Sequence, residues 1–176
     1  MQMPDIRNRL KIGLVCPYDI LRAGGVQEHA LAQAEELRKR GHTVKILTPR
    51  PRGVRGDAPE GVIFVGNSAN IKVLTKTTME VGINIDNSLL DEILSKEKFD
   101  LLHIHEPEVP ILGAQIIARA KCPIVGTFHA VNPNTPMART LEGLRMPFSR
   151  TLFNKLTAMT AVSDAAAGFV REHMSK

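Results

Sequence analysis

The sequence predicts an α/β fold, a doubly wound parallel sheet of the Rossmann-like kind. Three observations predict it. Short apolar runs alternate with stretches of helical periodicity along the whole chain. Several of those runs are apolar at nearly every position, as strands buried on both faces are. Polar, glycine-bearing and histidine-bearing segments follow the runs, where the carboxyl edge of a parallel sheet exposes its loops.

Residues 11–17 (KIGLVCP) read as the first strand. Val26, Ala30, Leu31, Ala34 and Leu37 then recur at helical spacing up to Arg40, with Gly41 as the C-terminal cap behind Arg38, Lys39 and Arg40. Residues 43–49 (TVKILTP) complete a βαβ unit. The stretch 49–61 is rich in Pro, Gly and Arg and reads as a loop, and 61–66 (GVIFVG) as a third strand. Residues 67–87 show no firm period and are expected to be irregular. Leu89, Leu90, Ile93 and Leu94 mark a short helix, with Ser88 as its N-cap. Residues 101–105 (LLHIH) form the fourth strand, 110–120 a helix, and 124–128 (IVGTF) the fifth strand. Residues 138–156 read as mostly helical, interrupted by Pro147. Residues 159–163 (MTAVS) are the sixth strand, and Asp164 caps a final helix. Six strands result, and the chain stops one helix after the sixth, as a piece of a longer protein would.

Composition narrows the function. A length of 176 residues suits one ordinary domain. With 43% hydrophobic and 23% charged residues it is globular rather than disordered. Aromatic residues make up only 4%, and Trp is absent, which argues against a stacking platform for single-stranded nucleic acid. The net charge of +5 suits anionic partners such as nucleotides, phosphosugars or phospholipid headgroups without choosing among them. Part of that excess is Arg50, Arg52 and Arg55, read as a solvated basic loop. Cys16 and Cys122 form no CxxC pair and read as buried free thiols of a reducing compartment. No apolar run reaches the ~18 residues of a membrane span, and MQMPDIRNRL lacks the apolar stretch of a signal peptide. A cytoplasmic protein is expected, with weak, salt-sensitive contact at the inner membrane face at most.

Chemistry is expected after the strands. PYDILRAGGVQEH follows the first, HEPEVP the fourth, HAVNPNTP the fifth and SD the sixth. Gly24 and Gly25 precede the first helix, where small residues let backbone N–H groups approach an anion, or where they serve only as a flexible connection. The dinucleotide fingerprint GxGxxG is absent. His103 and His105 share one strand face. His103, mid-strand, reads as a buried hydrogen-bonded histidine, whereas His105 and Glu106 stand at the strand end. His103, His105, Glu106 and His129 lack a cysteine or second carboxylate to complete a zinc set, so no metal is expected. His129 follows a strand directly, where it can hydrogen-bond a substrate hydroxyl, act as acid or base, or merely stabilise its loop.

Taken together, KIGLVCPY (11–18), GGVQEHALAQAEELRKRGHTV (24–44), DLLHIHEP (100–107), GTFH (126–129) and AVSD (161–164) resemble family 4 retaining glycosyltransferases. Within that family the similarity is to the bacterial phosphatidylinositol mannosyltransferases. It covers nearly the whole chain and is weakest between Pro49 and Ser88. The resemblance implies a GT-B architecture of two Rossmann-like domains. Residues 1–176 would be the N-terminal, acceptor-side domain, with the C-terminal donor-binding domain absent from the chain. It implies a nucleotide-sugar donor such as a GDP- or UDP-hexose, a polyol, lipid or sugar acceptor, and no cofactor. By the same resemblance Gly24 and Gly25 border the donor, Tyr18, Gln27, Glu106 and Glu108 the acceptor, and His129 assists catalysis. Two positions depart from the inositol enzymes: Glu108 stands where they have Asn after HEP, and Ala130 where they have Thr after TFH. Two other functions fit the residues: an NAD-dependent oxidoreductase domain, against which the missing GxGxxG and the Thr48–Pro49 end of strand two argue, and a non-catalytic sugar- or nucleotide-binding module.

Overall fold

The computed structural model describes residues 9–72, 78–83, 86–109, 111–129 and 151–174. Seven strands, β1 (Lys11–Val15), β2 (Thr43–Arg50), β3 (Val62–Lys72), β4 (Thr78–Ile83), β5 (Leu101–His105), β6 (Ile124–Phe128) and β7 (Ala158–Ala161), form one sheet. Their order is β4-β3-β2-β1-β5-β6-β7. The six predicted strands are all parallel to their neighbours, and β4 alone runs antiparallel, on β3. Around the sheet stand α1 (Gly25–Lys39), α2 (Asn87–Glu97), α3 (Leu112–Arg119) and α4 (Asp164–Met174). This is the Rossmann-like α/β class expected from the sequence.

The additional strand corrects the reading of 67–87 as irregular. β3 continues to Lys72 and pairs with β4 from Asn67↔Ile83 to Lys72↔Thr78. A parallel βαβ expectation does not look for a hairpin, and an antiparallel edge strand added to a parallel sheet is a common exception. Arg50 also proves to be the last residue of β2 rather than part of a loop. Its Nη1 donates to the Gly56 carbonyl at 2.7 Å, and its guanidinium lies 4.7 Å from the Phe64 ring centre. The β2–β3 register shifts between Thr48 and Arg50. Pro49 lies there, a residue with no N–H to give the ladder.

Helix ends follow local chemistry. α1 closes in a Schellman arrangement: Gly41, at φ 95°, donates to Arg38 O at 2.9 Å and His42 to Leu37 O at 3.1 Å. The cap of α2 is Asp86, whose carboxylate accepts from Ser88 N at 2.8 Å, so the expected Ser88 cap lies two residues too late. For α4 the capping oxygen is Ser163 Oγ, which accepts from Ala166 N at 3.2 Å, and Asp164 is the first helical residue. Most of the helix expected over 138–156 lies outside the described residues; residues 151–153 are helical.

Both faces of the sheet are covered. On one, Ile12, Leu14, Cys16, Val44 and Ile46 pack against Ala30 and Ala34 of α1. On the other, Val15, Leu47, Leu102 and Ile104 pack with Leu90 of α2 and Leu112, Ile116 and Ile117 of α3. Cys16 is buried as expected, but Cys122 is only half-buried; both thiols are free. At the amino edge, Glu97 receives Lys11 at 2.7 Å and Lys45 at 2.9 Å, tying the end of α2 to β1 and β2. Burial raises the Glu97 carboxyl, but the two ammonium groups outweigh it and hold the group below its ordinary value.

Gly13 shows how closely β1 is overlaid. A Cβ there would stand 2.7 Å from Leu102 Cδ2 and 3.2 Å from the Phe99 ring. Gly13→Val is expected to destabilise the chain by about 1–3 kcal/mol, as overpacked cores do. Urea unfolding checks this, and an unchanged midpoint would refute it.

Candidate functional site

In an open parallel sheet, ligands bind beyond the carboxyl ends of the strands where the strand order reverses direction. Here the chain winds outward through β1, β2 and β3 on one side, and through β5, β6 and β7 on the other. The reversal therefore falls between β1 and β5. The segment after β1 and the end of β5 meet at that point. Tyr18 donates its hydroxyl to the carboxylate of Glu106 in a short, buried hydrogen bond.

Each partner is held in place. Thr48 at the end of β2 donates its hydroxyl to the Tyr18 carbonyl at 2.6 Å and accepts from Ile20 N at 3.3 Å. Asp19, 4% exposed, accepts from Leu21 N at 2.9 Å through its carboxylate and from Arg22 N at 3.2 Å through its carbonyl. The connection from β1 to α1 is thus fastened, and is not the loose linker that its glycines allow. Glu106 has φ 48°, a left-handed backbone that costs a non-glycine residue on the order of 1 kcal/mol. Its N–H donates to Thr127 O at 2.7 Å, which keeps this turn against β6. Burial raises the Glu106 carboxyl above its usual range, partly offset by the Tyr18 hydrogen bond. The Tyr18 phenol is pushed up by burial and then by the negative charges of Glu106 and Glu108, so it stays protonated as a donor.

Beside this pair lies a histidine cluster. Along β5, Leu102 and Ile104 face the α2–α3 side, so His103 and His105 face α1. Four residues of helix advance about 6 Å and two residues of strand about 6.6 Å. His29 and Gln33 of α1 therefore sit over His105 and His103 in turn. Gln33 Nε2 donates to His103 Nδ1 at 3.2 Å. His103 Nε2 bonds Thr127 Oγ1 at 2.6 Å, which bonds Thr160 Oγ1 at 2.6 Å. His103 is thus the buried, hydrogen-bonded histidine expected from the sequence. His105, 0% exposed, stacks on His103 and shares a proton with His129, Nδ1 to Nε2, at 2.9 Å. Exposed His29 presents its ring to His105 and His129 with centroids 5.5 and 5.0 Å away.

Burial chiefly, and then repulsion between the rings, lowers His105 to about 3 and His103 and His129 to about 4. All three are neutral at neutral pH and can each donate and accept.

The expected site residues thus share one sheet edge, but in two groups. Tyr18, Glu106 and Glu108 lie at the switch point, and His129 stands just past the end of β6. Gln27 and the glycines form the rim at the start of α1. Gly24 is extended at φ 176°; a Cβ on it would stand 2.5 Å from Gln27 Oε1, so its missing side chain makes room for Gln27. Gln27 Nε2 donates to Asp19 O at 3.5 Å. Gly25 meets nothing within 4 Å and leaves the helix start open. Ala130 lies outside the described residues. The sequence reading missed His29, Gln33, Thr127 and Thr160. The i, i+4 spacing of His29 and Gln33 was the available signal, but it points nowhere until the helix is docked. A groove of about 590 Å³ lined by Phe99, Leu102 and Cys122 opens at the opposite edge, away from these groups.

The histidine cluster makes stability depend on pH. In the folded state these rings protonate only near pH 4 or below, whereas unfolded histidine does so near 6.5. Below 6.5 the unfolded chain binds more protons, so stability is full above that pH and falls as the pH drops towards 4. Urea midpoints between about pH 7 and about pH 5, with chelator present, should fall steadily, and less steeply for His103→Gln. A flat profile for the parent chain would contradict the burial of neutral rings.

The chain matches the Glycosyltransferase Family 4 profile over residues 23–175. It is 32% identical over 157 residues to a phosphatidyl-myo-inositol mannosyltransferase of Mycolicibacterium smegmatis, covering 89% of this chain and 39% of that protein. It is 29% identical over 171 residues to the protein of the same name from Propionibacterium freudenreichii, covering 94% of this chain and 44% of that one. The chain thus spans about two-fifths of the length of these curated relatives. Among solved structures, a sucrose-phosphate synthase from Thermosynechococcus elongatus has the same fold over 93% of this chain and 45% of its own, with TM-score 0.63 at 13% identity. The dehydrogenase alternative falls with this match, and Thr48, at the position where such an enzyme carries its acid, serves to hold Tyr18. The chain belongs to Glycosyltransferase Family 4.

Proposed function

We propose that this chain is the acceptor-side domain of a retaining glycosyltransferase. On this reading it moves a hexose, mannose foremost, from a nucleotide sugar such as a GDP- or UDP-hexose to a polyol, lipid or sugar acceptor. The observation that carries the reading is the carboxyl edge of the sheet in a family 4 chain, which holds both the Tyr18–Glu106 pair and neutral His129 bonded to His105. The names of the relatives favour mannosyl transfer. Glu108, in place of their Asn, favours an acceptor whose polar groups differ from theirs.

The chemistry breaks the bond between the anomeric carbon and the leaving diphosphate and forms one to an acceptor hydroxyl. Glu106 and Tyr18 offer that hydroxyl an acceptor and a donor in a water-poor setting, with Gln27 at the rim. His129, backed by His105, hydrogen-bonds the transferred sugar and sets the anomeric carbon. The amides at Gly24 and Gly25 border the donor phosphates. The positive groups that offset charge on the departing diphosphate belong to a second, donor-binding domain, and closure of the two excludes water. Among the described residues no helix is long and apolar enough to cross a membrane. A lipid acceptor would be met by peripheral contact on the cytoplasmic side.

Two outcomes are expected. The chain of residues 1–176 alone does not turn over nucleotide sugar. In the longer protein, His129→Ala lowers kcat by on the order of 100-fold, the size of a lost positioning contact, while circular dichroism stays unchanged. Transfer of radiolabelled hexose from GDP-mannose and UDP-glucose to a panel of polyols and lipids reads both. Robust turnover by the isolated chain, or near-normal turnover by the variant, would overturn the corresponding claim.

A further inference from the structure

A neutral imidazole carries a proton on one nitrogen and a lone pair on the other, and the partner of the first decides what the second offers. His129, a half-buried ring just past β6, has its Nε2 2.9 Å from Nδ1 of His105. No described residue hydrogen-bonds its Nδ1. His105 is fully buried at the end of β5. Burial and the neighbouring rings keep both imidazoles neutral, so each holds a single proton and one of the two lies between the rings.

That bond can run in either direction. If His129 donates, His105 must carry its own proton on Nε2. This atom is buried and has no hydrogen-bond partner among the described residues, so an N–H there would be sealed in without an acceptor. His103, stacked on His105 at 12°, cannot take it, because Gln33 and Thr127 engage both of its nitrogens. If His105 donates, its Nε2 keeps only a lone pair. Folded proteins strand a buried N–H more rarely than they leave a buried acceptor short of donors.

We infer that His105 is the positioning residue of His129: it donates its Nδ1–H to His129 Nε2, holds the His129 proton on Nδ1, and so presents His129 to the transferred sugar as an N–H donor and not as a base. Of the chemistries open to an imidazole beside a substrate, hydrogen bonding and proton abstraction, this arrangement selects the first. The sugar in this statement rests on the transferase reading; the placement of the protons does not.

The protons are read directly. The ¹⁵N-labelled chain is studied near neutral pH by long-range ¹⁵N–¹H correlation of the histidine rings, which distinguishes a protonated ring nitrogen from a bare one, with His129→Asn identifying the His129 signals. Protonated Nδ1 and bare Nε2 are expected for His129 and for His105. His105→Leu removes the donor, and His129 should then populate the Nε2–H form as well. A parent His129 protonated on Nε2 overturns the inference whether or not that variant folds. So does a His129 that stays wholly Nδ1–H in a His105→Leu chain of unchanged circular dichroism. In the longer protein, His129→Asn returns an amide donor near the place of Nδ1, and its kcat should exceed that of His129→Ala by at least about 10-fold. Equal rates would overturn the donor role. Absence of hexose transfer by the longer parent protein would instead refute the transferase reading, with the proton placement still decided by the spectra.

Discussion

The candidate site depends on the parallel pairing of β1 with β5, from Ile12↔Leu101 to Val15↔Ile104. These strands are about ninety residues apart in sequence, yet their adjacency makes the sheet wind both ways from its centre. The segment leaving β1 must turn away from the one leaving β5, and a crevice opens between them. Every acceptor-side group proposed here stands on its rim. The Tyr18–Glu106 hydrogen bond bridges the crevice, and the left-handed Glu106 backbone is the local strain accepted for that placement. The β1–β5 ladder and the packing of Gly13 under Phe99 and Leu102 brace that geometry from below.

A second constraint is the approach of α1 to the sheet. Ala30 and Ala34 are both fully buried, and their small side chains let the helix lie close to β1 and β2. With the helix this close, the neighbouring strand meets residues 29 and 33 directly. Helix and strand repeats nearly match over this distance, so His29 aligns with His105 and Gln33 with His103. Aliphatic residues at 103 and 105 would fill the space with ordinary core. Histidines there make a polar seam inside an apolar sandwich, and such a seam is tolerable only when its members satisfy one another. The chain Gln33–His103–Thr127–Thr160 is joined by hydrogen bonds from end to end, although Gln33 Oε1 and His105 Nε2 keep no partner among the described residues.

Burial also sets the electrostatic character of this edge. Burial holds the histidines neutral, so this interior is lined by hydrogen-bonding imidazoles beside the Tyr18–Glu106 pair. Such an environment suits the hydroxyls of a sugar or polyol better than a free diphosphate, which needs fixed cations. This is consistent with the proposed acceptor-side role, which rests on the family resemblance. The amino edge differs: there Glu97 draws in Lys11 and Lys45, and its ion pairs join α2 to two strands.

Much of this was written in the local sequence. Alternation of apolar runs and helical periods set the class, the six parallel strands and the edge on which the candidate residues gather. The period of two placed His103 and His105 on one face, and Gly41 marked the end of α1. The motifs from residue 11 to residue 164 carried the family. What local patterns do not hold is partnership. The β3–β4 hairpin was missed because its stability comes from cross-strand pairing, not from a period within 67–87. The caps at Asp86 and Ser163 were displaced by one or two residues because any nearby oxygen can serve, and only the backbone path selects one. His29 carried no functional signal, since a histidine on an exposed helical turn looks solvated. It joined the site only when the docked helix brought it onto strand ends seventy and a hundred residues away. Sequence spacing determines which face a side chain takes on its own element; tertiary packing decides which other face it meets.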